Sequence, residues 1–122
     1  MVADFYRRLF EKAPDVRKLF SSDMTKQEAH LMAALATIAK NVDQMDVLEE
    51  PLMHLGAIHI QYGARPEHYP VVCDCLLEAV RNAAGAAWND PLERDWSVAL
   101  SMVCEAMLKG VLRAVAEQSR NP

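Results

Sequence analysis

The chain has 122 residues, the length of one domain, with 52% hydrophobic and 25% charged residues, a balance that excludes disorder and a coiled coil. Its net charge of −4 gives no strong attraction to a phosphate backbone. No run of about eighteen apolar residues is present to cross a bilayer. Neither nucleic acid nor a membrane is therefore expected as a partner. Seven of the thirteen basic residues lie within residues 1–40, a mildly basic and solvated face.

Residues 2–12, VADFYRRLFEK, place Phe5, Tyr6, Leu9 and Phe10 at helical spacing. Pro14 ends that helix and opens a short one, PDVRKLF. After the polar break Ser21-Ser22-Asp23, Thr25 with Glu28 three residues later reads as a capping box. The helix it starts carries the stripe Gln27, Leu31, Leu35 and Ile38, continued by Val42, and a polar turn over 41–46 closes it. Residues 47–62 read as one or two helices, interrupted at Pro51 and ending near Tyr62-Gly63. Arg65-Pro66-Glu67 begins the next helix, which tolerates Pro70 in its first turn and stops at Gly85. Asn89 or Asp90 caps a last helix that runs to about Glu117. No strand pattern appears, so the expectation is an all-α domain of about six helices.

Cys73, Cys75 and Cys104 are an odd count, and MVADFYRRLF has no apolar signal core. The three therefore read as reduced thiols in a cytoplasmic protein, serving as small core residues. Cys73 and Cys75, two apart on a helix, face different ways.

His59 stands in the otherwise apolar stretch LGAIHIQYG, with no partner at zinc spacings. Two readings of its imidazole are open. It is a core histidine bonded to a backbone carbonyl, or it is the single protein ligand of an iron whose other four nitrogens come from a porphyrin. There is no P-loop, GxSxG, CxxC, HExxH or GxGxxG, so the common hydrolase, nucleotide and zinc chemistries lack their motifs.

The segments FYRRLFEKAPDVRKLF, KQEAHLM and LGAIHIQYGARPEHYP resemble bacterial single-domain haemoglobins and the haem domain of flavohaemoglobins. The likeness lies in ordered landmarks. Phe20 follows Tyr6 by fourteen residues, His59 follows Gln27 by thirty-two, and Tyr69 follows His59 by ten. Trp96 stands near the start of the last helix. The resemblance implies a single globin domain over 1–122, a three-over-three helical sandwich without its N-terminal helix. It implies haem b (iron protoporphyrin IX) held non-covalently, with His59 as the iron ligand and Phe20 packed flat on the porphyrin. Tyr6 and Gln27 match the residues that hydrogen-bond a diatomic ligand. Leu31, Phe10, Leu55 and Val72 would complete the lining, with Phe5 and Leu35 behind them. His30, at the spacing of the animal distal histidine, is placed instead at the pocket mouth beside a haem propionate; the continuous stripe from Gln27 carries that choice. His54 and His68 read as exposed or structural.

The departures from the family carry expectations of their own. Tyr69 matches the tyrosine of the flavohaemoglobin Tyr–Glu pair behind the proximal histidine, but Val111 occupies the glutamate's position. Ala57-Ile58 replaces an arginine-containing pair found before that histidine in some relatives. The shortened start would uncover an apolar groove on the last helix, along Trp96, Leu100, Val103, Met107, Leu108, Val111 and Leu112, and favour a homodimer. The implied function is reversible binding of O2, NO and CO, with oxygen transport as its physiological form. The alternatives are NO dioxygenation with an external reductase and a haem-based sensor that acts through protein contacts.

Overall fold

The computed structural model describes residues 1–120, and the side chains of all of these except 42, 61 and 118–120. Its α-helices are α1 (Val2–Lys12), α2 (Thr25–Lys40), α3 (Glu49–Gln61), α4 (His68–Ala84) and α5 (Asp90–Arg120). Short 3₁₀ segments, Pro14–Leu19, Val42–Leu48 and Gly85–Ala87, join some of them, and no strand occurs among the described residues. The all-α expectation and the bounds of α1 agree with the sequence reading. Asn89 caps α5 as expected, its Oδ1 accepting the Leu92 N–H at 2.9 Å. Gly85, at φ +54°, ends α4.

Three local expectations change. Thr25 forms no capping box. Asp23 Oδ1 accepts both the Thr25 N–H at 3.0 Å and its hydroxyl at 2.8 Å, and the helix starts one residue earlier than a Thr25 cap requires, with Thr25 itself as its first residue. Pro51 does not interrupt α3, because it lies in the first turn, where its missing N–H has no intrahelical partner to lose. Residues 65–67 form a turn before α4, with Tyr69 N–H donating to the Pro66 carbonyl at 3.1 Å.

The tightest contact in the molecule is between α3 and α5. A Cβ at Gly56 would overlap the Met107 backbone carbonyl, and a Cβ at Gly110 would overlap that of Met53. The two helices thus cross backbone to backbone through a reciprocal pair of glycines. Elsewhere α1 packs on α4, and α4 on α5. The α1–α4 seam carries an ion network. Arg8 bridges Asp4 (3.0 Å) and Glu78 (2.8 Å), and Lys12 reaches Glu78 at 2.9 Å.

The seven-residue apolar stripe of α5 is largely used within the chain. Leu100, Val103, Met107 and Val111 are buried, and Trp96 and Leu108 pack on the same core. Leu112 alone of the seven is well exposed, at 67%. The width that suggested a homodimer is therefore mostly covered by α3 and α4.

The cysteine expectation is corrected. Cys73 on α4 and Cys104 on α5 form a disulfide that closes a separation of 31 residues, and only Cys75 is a free, buried thiol. Spacing along one helix correctly set Cys73 and Cys75 on different faces. It carried no information about a partner on another helix. A loop of this length constrains the unfolded chain by about 3–4 kcal/mol.

Two outcomes follow from these contacts. In an unobstructed helix Gly→Ala gains up to about 1 kcal/mol. Gly56→Ala should instead lose at least about 2 kcal/mol in urea unfolding, because α3 and α5 must separate; a gain would place the crossing elsewhere. The guanidinium of Arg8, then that of Arg7, holds the Asp4 carboxyl below its ordinary value, and hydrogen bonds from Lys12, then Arg8, do the same for Glu78. Both folded values lie below the unfolded ones, so this stability is present above about pH 4–5 and is lost as pH falls through the lowered values. Urea-unfolding stability should fall modestly as pH drops through that range, and Glu78→Gln should flatten the step.

Candidate functional site

The wall of the site is aromatic because α1 turns Phe5, Tyr6 and Leu9 inward and Phe10 half inward. Phe20 joins them from extended backbone just after the 3₁₀ segment (φ −115°, ψ 154°). Tyr6 lies edge-on to Phe5 and Phe20, with centroids 4.8 and 5.6 Å away, and stacks on Phe10 at 5.9 Å. Phe10 and Phe20 meet edge-on at 5.5 Å. Arg17, which the sequence reading passed over, fixes this corner. Its guanidinium donates to the carbonyls of Phe20 (3.3 Å) and Ser21 (3.1 Å) and lies 5.2 Å from the Phe10 ring centre. The available signal was a basic residue in the last turn of a short helix, where free carbonyls collect.

Within this wall two polar side chains meet. Gln27 Nε2 donates to Tyr6 Oη at 2.9 Å, joining α2 to α1 across 21 residues. Tyr6 is only 5% exposed, and burial pushes its phenol pKa up more than the Gln27 hydrogen bond lowers it. The phenol therefore stays protonated at neutral pH. Because its oxygen accepts from Gln27, its own O–H remains available to a third group.

His59 is half-buried on α3, three residues past Gly56. Its Nδ1 lies 2.8 Å from the Leu55 carbonyl. A carbonyl only accepts, so Nδ1 carries the proton and Nε2 keeps its lone pair. Both readings of this imidazole thus hold together: it is bonded to a backbone carbonyl, and that bond prepares the opposite nitrogen as a ligand. Leu55 enters through its carbonyl, with its side chain 37% exposed.

Leu31, Val72 and Tyr69 pack into the same apolar cluster as Tyr6, Phe10 and Phe20. Trp96 and Ile60, the neighbour of His59, also pack on it. His30 is exposed, and so is His54. His68 is structural: its Nδ1 accepts the Arg65 N–H at 3.1 Å, and its Nε2 stands 3.7 Å from Asp15. Tyr69 is 6% exposed and its hydroxyl is buried with no partner among the described residues. Val111, buried at 3% exposure, offers no acceptor.

Among the described residues no three His, Cys, Asp or Glu side chains gather to hold a bare metal ion. A metal on His59 would have to bring its other ligands, as an iron porphyrin does with four nitrogens. The residues present fit that group: a prepared imidazole Nε2, flat aromatic and aliphatic walls, and a hydrogen-bonding pair set in them.

Comparisons with known proteins bear on the family and the fold. The family model described as Globin matches residues 3–107. The chain is 31% identical over 112 residues to a flavohemoprotein of Chromobacterium violaceum, covering 88% of this chain but 28% of that protein. It is 30% identical over 118 residues to leghemoglobin 49 of Vicia faba, covering 88% of this chain and 81% of that one. Among solved structures, an engineered carbene transferase derived from a candidate nitric oxide dioxygenase of Rhodothermus marinus superposes with a TM-score of 0.83. That pair shares 25% identity and covers 97% of this chain and 82% of the other.

Tyr69→Phe removes a buried oxygen that has no partner. It should raise stability by about 1 kcal/mol in urea unfolding of the haem-free chain; a loss of that size would reveal an acceptor for the hydroxyl.

Proposed function

This chain belongs to the globin family, and on that premise we propose that it binds one haem b through His59 Nε2 and reversibly holds O2, NO or CO on the face lined by Tyr6 and Gln27. One observation carries the reading. The two polar side chains that such a ligand site needs meet each other inside an aromatic wall, from helices 21 residues apart in sequence. The haem supplies the iron that binds the diatomic molecule and, for O2, gives it partial negative charge.

The chain's own residues do the rest. The Leu55 carbonyl orients the imidazole by accepting from Nδ1–H, which turns Nε2 into the ligand nitrogen of the neutral ring. Phe20, Phe10, Leu31 and Val72, packed in one apolar cluster, would wall the porphyrin and exclude water, while Leu55 contributes its carbonyl. Gln27 steadies the Tyr6 oxygen, and the Tyr6 O–H is directed to the charged end of the ligand, where a low dielectric strengthens the bond. His30, exposed at the mouth, is suited to meet a propionate. Oxygen transport or storage in the cytoplasm is the physiological form we assign. A disulfide open to cellular thiols would be cycled there rather than permanent. NO dioxygenation served by an external reductase is a second reading. It is favoured by the Rhodothermus likeness and by the flavohemoproteins, of which this chain spans 28% of the length in the Chromobacterium case. Nitrate formation from NO in the presence of a supplied ferredoxin- or flavin-type reductase tests it.

His59→Ala should abolish most haem retention, with partial recovery by added imidazole; full haem content and an unchanged reduced spectrum would refute the ligand assignment. Tyr6→Phe keeps the ring and removes one hydrogen bond to a partly charged acceptor, a loss of about 1.5–3 kcal/mol. O2 should leave roughly 10–100 times faster and CO nearly unchanged. Gln27→Leu should act in the same direction and more weakly, because it frees the phenol to turn without removing it. Equal responses of O2 and CO would make Tyr6 a steric wall only.

A further inference from the structure

A cleft of about 270 Å³ opens between α4 and α5, bordered by Tyr69 but by neither His59 nor the Tyr6–Gln27 pair. Both cysteines of the disulfide, Cys73 and Cys104, line it and are half-buried, together with the exposed Asp74, Ser101 and Glu105. We propose that the Cys73–Cys104 disulfide is a redox-modification site, opened by a small amine-bearing thiol that enters this cleft.

Size and charge both select the reagent. The cleft is smaller than the roughly 300–1,000 Å³ of sites for drug-sized ligands, so it admits a small thiol. The only ionisable side chains on its lining, apart from Tyr69, are the two carboxylates Asp74 and Glu105, one from each helix. The attacking species is a thiolate, already negative. An ammonium group on the same molecule cancels that charge and meets the carboxylates favourably. A carboxylate on the reagent instead adds a second negative charge to the thiolate and increases the repulsion.

The chemistry closes with the thiol as sole reductant. One thiolate attacks a protein sulfur, a mixed disulfide forms, and the S–S bond breaks with its electron pair leaving on the other cysteine, which takes a proton from water. A second thiolate attacks the mixed disulfide, forming the reagent's own disulfide and releasing the second cysteine as a thiol. Two thiols are oxidised and one protein disulfide is reduced. Cys75 stays out of this exchange. It is 0% exposed, absent from the cleft, and burial pushes its thiol pKa up. The bridge joins α4, which carries Tyr69, to α5, so its opening loosens the packing between those two helices.

The test uses the full chain purified in air. Alkylation in denaturant without reductant should label one cysteine, Cys75; labelling of all three would show that no bridge forms and would overturn the proposal. The native protein is then exposed at low ionic strength to cysteamine or to mercaptoacetate, and the two new thiols are counted over time. Each rate is divided by that of the same reagent with a small uncharged disulfide. Cysteamine should be faster on the order of tenfold. The ratio should approach one in about 1 M salt and in Asp74→Asn/Glu105→Gln. Equal normalised rates in the native protein, or reduction only after unfolding, would show that the cleft does not admit or select the thiol. Cys104→Ser must give no new thiols under either reagent; any that appear would place the exchange at another sulfur.

Discussion

The close approach of α3 to α5, where Gly56 meets the Met107 backbone and Gly110 meets that of Met53, is the constraint from which the rest of the arrangement is measured. Side chains adjust by rotating, but two carbonyl-bearing backbones in contact do not. Because His59 follows Gly56 by three residues, its Cα is fixed relative to α5 to within the stiffness of one helical turn. The opposite face of the site reaches the same reference by a longer route. Disulfide and packing tie α4 to α5, the Glu78 ion pairs tie α1 to α4, and the Tyr6–Gln27 hydrogen bond ties α2 to α1. The imidazole is thus held by a rigid contact and the hydrogen-bonding pair by a series of softer ones. Adaptation to different ligands belongs on the Tyr6 side.

How much of this was legible depends on the range of the interaction. The Phe5, Tyr6, Leu9, Phe10 spacing is local, and it gave α1 its bounds and its inward face. The Asn89 cap and the Gly85 stop are local too. Pro51 misled because a proline's effect depends on its distance from a helix start, which the sequence sets only to within a few residues. Thr25 misled because Asp23, two residues earlier, offers a stronger acceptor to the same N–H. The site residues came from ordered landmarks, since no periodicity distinguishes Gln27 from any half-buried amide. What stayed hidden was long-range: the glycine crossing, the Cys73–Cys104 bridge and the Glu78 pairs each join residues more than thirty positions apart. Neither Gly56 nor Gly110 shows any local need for glycine, since both sit in helices where alanine would be preferred.

The polar groups are distributed unequally across the site, and this bears on what it does. On the His59 side the imidazole donates to a neutral carbonyl, the Tyr69 hydroxyl has no acceptor, and Val111 is buried where the flavohaemoglobin resemblance implies a carboxylate. A carboxylate there would draw on the imidazole proton and make the ligand nitrogen more electron-rich, which favours breaking bonds in the ligand opposite. A neutral carbonyl does so weakly. On the Tyr6 side Gln27 donates to a phenol set among aromatic rings, which leaves one O–H donor that, on the proposed function, would stabilise a partly charged ligand without activating it. Stabilisation from one side with little electron push from the other lowers the energy of the bound state more than that of any reaction leading out of it. On the proposed function, the balance of these residues therefore favours holding and releasing a ligand over turning it over. An enzymatic role would have to draw its driving force from a partner that supplies electrons rather than from the groups behind His59.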